Sequence, residues 1–113
     1  MIGTMLLIGA AIVGGGLIAT FWRQIVDWMK RVLEKVKTLV QGVVAGSRIF
    51  FSKMQDAGKE ISKNYAKVGT KWQETIVERT VEISEIPEEY LNKMAISGQE
   101  YEFTEELEKQ LAN

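Results

Sequence analysis

The chain has 113 residues, room for one domain at most, with 46% hydrophobic residues and a net charge of -1. It contains no cysteine and no histidine, which excludes a disulfide framework and a thiolate site and removes the usual general base and commonest metal ligand. The near-neutral total hides a division: residues 1–71 hold 11 Lys/Arg against 4 Asp/Glu, a net of +7, and residues 72–113 hold 3 against 11, a net of -8. Such a split points to a membrane or nucleic-acid partner for the basic part, or to pairing between the two parts.

In chain order, the first expected element is a transmembrane helix over residues 1–22. No charged side chain occurs before Arg23, and at about 1.5 Å per residue the uncharged run from Ile2 to Trp22 is roughly as long as a bilayer's hydrocarbon core is thick. The run is apolar on all sides, whereas an amphipathic surface helix would show a polar face. A removable signal would want a basic start and a shorter apolar core. A buried helix of a globular domain would want a second apolar element to cover it. Trp22 and Trp28 fit an aromatic belt at the headgroups, with Arg23, Lys30 and Arg31 as the basic side of the interface. The excess of Lys and Arg that follows places the C-terminus in the cytoplasm and the N-terminus outside. Within the run, Ala11, Gly15 and Ala19 fall on one helical face at successive turns, a spacing that lets two spans approach closely and self-associate.

The second expected element is a long basic amphipathic helix over residues 23–68. Apolar positions return every three or four residues, through Ile25, Met29, Val32, Val36, Leu39, Val43, Gly46, Phe50, Met54, Ala57, Ile61 and Tyr65. Pro87 is the chain's one proline, so the weak points of this helix are Gly42 and Gly46, one turn apart. Its apolar stripe needs cover, either from copies of itself or from a bilayer whose anionic headgroups would attract its basic side chains at about 1 kcal/mol each. Nucleic acid is disfavoured as a partner, because the charge comes with no recognisable binding motif.

Residues 69–113 are expected to form an acidic cytoplasmic strand-and-helix module. From Gln73 to Ile83, Thr75, Val77, Arg79 and Val81 alternate with Glu74, Ile76, Glu78, Thr80 and Glu82, the period of a strand. Ser84 to Pro87 then open a short helix running to about Ala95, with acids at its positive end. A short extended piece follows over residues 99–103, and Thr104 caps a last helix from Glu105 to Leu111. The strand's backbone needs a partner, and the chain offers only the short piece around Tyr101. Ile76, Val77, Val81 and Ile83 are therefore the candidate residues of a strand that pairs between copies.

No catalytic constellation emerges. Glu88, Glu89, Glu105, Glu106 and Glu108 sit in the first turns of short helices, where acids favour the helix dipole. Gly14 to Gly16 lack the Lys-Ser/Thr of a phosphate-binding loop. The sequence thus reads as a non-enzyme with no cofactor and no metal. Its expected fold class is a mainly α membrane protein with one N-terminal transmembrane helix, a long basic amphipathic helix and a small acidic β/α C-terminal module, assembled as a homo-oligomer. In outline it resembles small bacterial membrane proteins. The expected function is assembly in the bilayer as a pore, a membrane-disrupting effector such as a toxin or defence component, or a scaffold. The alternative is a membrane tether that recruits a cytoplasmic protein through Tyr90, Leu91, Tyr101 and Phe103.

Overall fold

The computed structural model describes residues 16–94 and 98–110. It holds a helix α1 (Leu17–Val40), strands β1 (Val44–Lys53), β2 (Ala57–Val68) and β3 (Lys71–Glu82), a 3-10 turn (Ile83–Glu85), a short helix α2 (Glu88–Lys93), strand β4 (Glu100–Glu102) and helix α3 (Thr104–Gln110). The four strands make one antiparallel sheet in the order β3-β2-β1-β4. The fold is therefore α+β, with α1 laid across one face of the sheet.

This architecture corrects the expected mainly α membrane protein. Among the described residues no helix is long and apolar enough to cross a membrane, which overturns the single-pass architecture and the membrane location with its N-terminus outside. Residues 1–15 of the expected span, including Ala11 and Gly15, lie outside the described residues. The rest of that span forms the opening turns of α1, whose Ala19, Phe21, Trp22 and Ile25 pack against the sheet. Trp22 is wholly buried and Trp28 is 7% exposed: both belong to the core and not to a headgroup belt.

The expected long helix is also corrected. α1 keeps its apolar stripe through Trp22, Ile25, Val26, Met29, Val32 and Val36, all buried, at the three- and four-residue spacing of one helix face. It then stops. Gln41 adopts the left-handed conformation at φ 53°, and Lys37 in the last turn complements the negative end of the dipole. Residues 44–68 form the β1–β2 hairpin, which supplies the second apolar layer that the sequence reading found missing. In β1 the run Ile49-Phe50-Phe51 is buried on both faces of the sheet, as expected for aromatic and β-branched residues in a central strand.

β2 explains how closely α1 can sit. Its α1-facing row is Gly58, Glu60, Ser62, Asn64 and Ala66, in register with Ile49 and Phe51 of β1 and with Val77 and Val81 of β3. Most of these side chains are small, so the helix approaches the middle of the sheet. A Cβ on Gly58 would lie 2.5 Å from Cδ1 of Ile86 and 3.2 Å from Cγ2 of Val81, which leaves no room for one without local repacking. The β2–β3 turn has two residues, with Gly69 at φ 65° in its first position, the arrangement of a type II′ hairpin turn.

The C-terminal elements close the other end of the core. Phe21 and Trp22 of α1, Phe51 of β1, Tyr90 of α2 and Phe103 before α3 form one aromatic cluster, with ring centroids 4.8–5.6 Å apart for Phe51–Phe103, Phe21–Trp22, Trp22–Tyr90, Tyr90–Phe103 and Phe21–Tyr90. The indole Nε1–H of Trp22 donates to Oη of Tyr90 at 3.0 Å. Replacing Tyr90 by Phe leaves that buried donor without its acceptor. A loss of about 1–3 kcal/mol in unfolding free energy is expected, measured as a lower urea midpoint at unchanged slope.

Candidate functional site

Two regions carry polar chemistry that could serve a function: the seam between α1 and the sheet, and the outer face of the sheet with the free edge of β3. The seam is built from the inward side chains of β2. Oγ of Ser47 donates to Oδ1 of Asn64 at 2.7 Å, and Nδ2 of Asn64 donates to Oγ of Ser62 at 2.9 Å and to the carbonyl of Thr75 at 3.1 Å. Further along, Glu60 is 2% exposed and ion-paired to Arg79 of β3, and the Arg79 guanidinium lies 4.8 Å from the ring centroid of Trp28.

Among the described residues, every buried side-chain nitrogen and oxygen has a hydrogen-bond partner. The seam is therefore closed and self-satisfied, a polar network that fixes α1 over β2 and β3 and not a pocket awaiting a ligand. Burial in the seam nevertheless raises the Glu60 carboxyl above the ordinary carboxylate range, and the Arg79 hydrogen bond offsets this only in part.

The outer face holds an ion-paired lattice. Arg48 of β1 pairs with Glu102 of β4 through both carboxylate oxygens, with its Nε 2.8 Å from Oε2. Lys63 of β2 reaches Glu100 at 3.5 Å, and Lys59 reaches Glu78 of β3 at 3.3 Å. The Arg48 hydrogen bond holds Glu102 below the ordinary carboxylate value. Arg48 and Lys63 also cover the Phe50 ring, at 5.1 and 4.3 Å from its centroid. A depression of 440 Å³ at this end of the hairpin is lined by Lys53, Met54, Lys59, Glu78 and Glu100, among others. Its charged walls already include the Lys59–Glu78 pair.

The two edges of the sheet differ sharply. β4 closes one side with three residues, and Thr104 extends the closure by accepting the backbone N–H of Ile49 at 3.1 Å. β3 runs for 12 residues and pairs along all of them with β2, without a bulge. Its other side has no strand against it among the described residues. Along that edge Trp72 is 65% exposed and Ile76 is 50% exposed, both on the outer face.

The sequence-derived site residues are dispersed by this geometry. Lys30 and Arg31 lie with Arg23 on the exposed side of α1. Ala19, Trp22 and Trp28 are buried beneath it. Of the strand residues, Ile76 faces outward, Val77 and Val81 pack on the core, and Ile83 opens the 3-10 turn. β3 is not without a mate in its own chain, as the sequence reading held: β2 fills one side, and among the described residues only the far side stands open. Missed from sequence were Glu60, Asn64, Ser47 and the three ion pairs of the outer face. The +7 and -8 division was the one available signal for those pairs. Among the described residues, no group of three or more acidic side chains is placed to hold a metal ion. Comparison with protein-family models, curated proteins and solved structures gives no match.

The raised Glu60 gives a signed pH dependence. A carboxyl with a folded pKa above its unfolded value contributes stability that is fully present below the unfolded value and is lost as pH rises through the folded one. In Glu60→Gln this loss is absent. The stability of the variant relative to the parent should therefore increase as pH rises from about 4.5. Urea midpoints of both proteins across pH 4 to 8 test the sign.

Proposed function

We propose that this chain is a non-enzymatic assembly protein whose copies join through the open edge of β3. The observation that carries the reading is the pairing of a long, unbulged free edge with exposed Trp72 and Ile76 beside it. Such an edge presents a row of backbone donors and acceptors to any extended chain, and folds that use no partner there shorten, bend or cover it. The opposite edge is short, whereas β3, among the described residues, is neither short, bulged nor covered. Strand addition would satisfy the row and cover the two apolar side chains together.

Recruitment of a different protein through the acidic module draws less support. Tyr90 and Phe103, which such a surface would use, are buried in the aromatic cluster, and Leu91 and Tyr101 pack against the core.

Light scattering over a concentration series is the test. The parent is expected to give a discrete oligomer, and the double substitution Trp72→Ser with Ile76→Lys should shift the mass to the monomer. Both side chains are exposed in the single chain, so at concentrations where both proteins are monomeric the variant should unfold within about 0.5 kcal/mol of the parent. A parent that stays monomeric at every concentration would overturn the reading.

A further inference from the structure

The charges along β3 determine how two copies can meet, if the assembly reading on which this inference rests is right. We infer that the partner on this edge is a second copy of the chain, added antiparallel about a two-fold axis through Val77, so that the two sheets join into one.

Directly opposed residues in an antiparallel pair share a face of the sheet, so a two-fold axis must pass through a residue and its own copy. On β3 the outer face carries Trp72, Glu74, Ile76, Glu78, Thr80 and Glu82, and the inner face carries Lys71, Gln73, Thr75, Val77, Arg79 and Val81. An axis through Ile76 sets Glu74 against Glu78 of the second copy, twice. An axis through Thr75 sets Lys71 against Arg79. Axes through Glu74, Glu78 or Arg79 set each charge against itself. Like charges directly opposite destabilise a strand pair.

An axis through Val77 avoids all of these. It places Ile76 opposite Glu78, Glu74 opposite Thr80, Thr75 opposite Arg79, and Trp72 opposite Glu82, over residues 72–82. Axes nearer either end pair only short stretches of the strand. The Val77 register also makes the two Ile76 side chains diagonal neighbours, which covers the apolar surface that each copy exposes alone. The two Glu78 side chains are diagonal to one another as well, and each keeps the Lys59 counter-ion of its own chain at 3.3 Å. In this register no like charges stand directly opposite, and the acidic side chains of the outer face meet only on diagonals.

The chain has no cysteine, so single cysteines report the register without background. Cysteines are introduced one at a time at positions 74 to 80 of the full chain, oxidised mildly, and run on non-reducing gels. Val77→Cys is expected to give the most disulfide dimer, with yield falling on either side. Val77 is half-buried against α1, so a second readout uses the outer face. Ile76→Cys mixed with Glu78→Cys should give a mixed dimer in greater yield than either protein alone. A maximum at another position, together with no preference in the mixture, would overturn the register and leave assembly through β3 standing. An oligomer by light scattering with no cross-link at any position would place the interface elsewhere. A monomer by light scattering would remove the assembly reading and the register with it.

Discussion

The aromatic cluster around Trp22 is the contact on which the rest of the fold depends. It is the one place where α1, the central strand β1, α2 and the segment entering α3 all meet, through Phe21, Trp22, Phe51, Tyr90 and Phe103. These elements come from opposite ends of the chain, so their contact closes long loops and must outweigh the entropy of doing so. Five aromatic side chains, each burying on the order of 150–250 Å², supply apolar area on that scale. The Trp22–Tyr90 hydrogen bond adds direction, because the indole must turn toward α2 for its N–H to be satisfied. With that end pinned, the stripe of Ile25, Met29, Val32 and Val36 is carried across the sheet as a matter of helical geometry.

Along the helix the packing changes character, from aromatic at the α2 end to polar near the β2–β3 hairpin. Ser62, Asn64 and Ser47 bond to one another and to the β3 backbone, and Glu60, Arg79 and Trp28 form a second group beside them. A fully satisfied polar network adds little net stability compared with an apolar core of the same shape, but it penalises misplacement, since any shift leaves buried groups unpaired. In this fold it ties β3 to β2 from beneath. The ion pairs of the outer face tie them from above, by joining basic β1 and β2 to acidic β3 and β4. The opposite charges of the two parts of the sequence meet within the chain.

Which parts of this were legible follows from which faces are apolar. β3 could be read because its inner row, Thr75, Val77, Arg79 and Val81, alternates cleanly with acids on the outer row. α2 and α3 could be read from Pro87, the first-turn acids and Thr104. β1 and β2 could not. Ile49, Phe50 and Phe51 are buried on both faces, which erases alternation, and the inward row of β2 is Gly58, Glu60, Ser62, Asn64 and Ala66, so its core side looks polar. Its apolar residues, Ile61 and Tyr65, lie buried on the outer face, four apart, and so continue the helical rhythm of α1 by coincidence of spacing. Once those two strands were read as helix, no apolar layer of the same chain remained to cover residues 17–40, and a bilayer or copies of the helix were the covers left to infer. One error of period produced the error of location.

The same accident bears on the open edge. A strand is protected from further pairing by being short, bent or covered, and β4 has the first of these protections. β3 has a charged residue turned inward, Arg79, which would usually count as a fourth device. Glu60 pairs with it beneath the helix, so its charge acts only in registers that set it against Lys71 or against its own copy. The remaining deterrent is the row of Glu74, Glu78 and Glu82 on the outer face, spaced every fourth residue. A row of like charges at that interval repels any strand that brings acids to the same positions. It accepts one whose neutral residues fall opposite, and β3 itself, turned about Val77, is such a strand. In the proposed assembly the acidic row would select partner and register, so that the feature opposing indiscriminate pairing would be the same one that admits a copy of the chain.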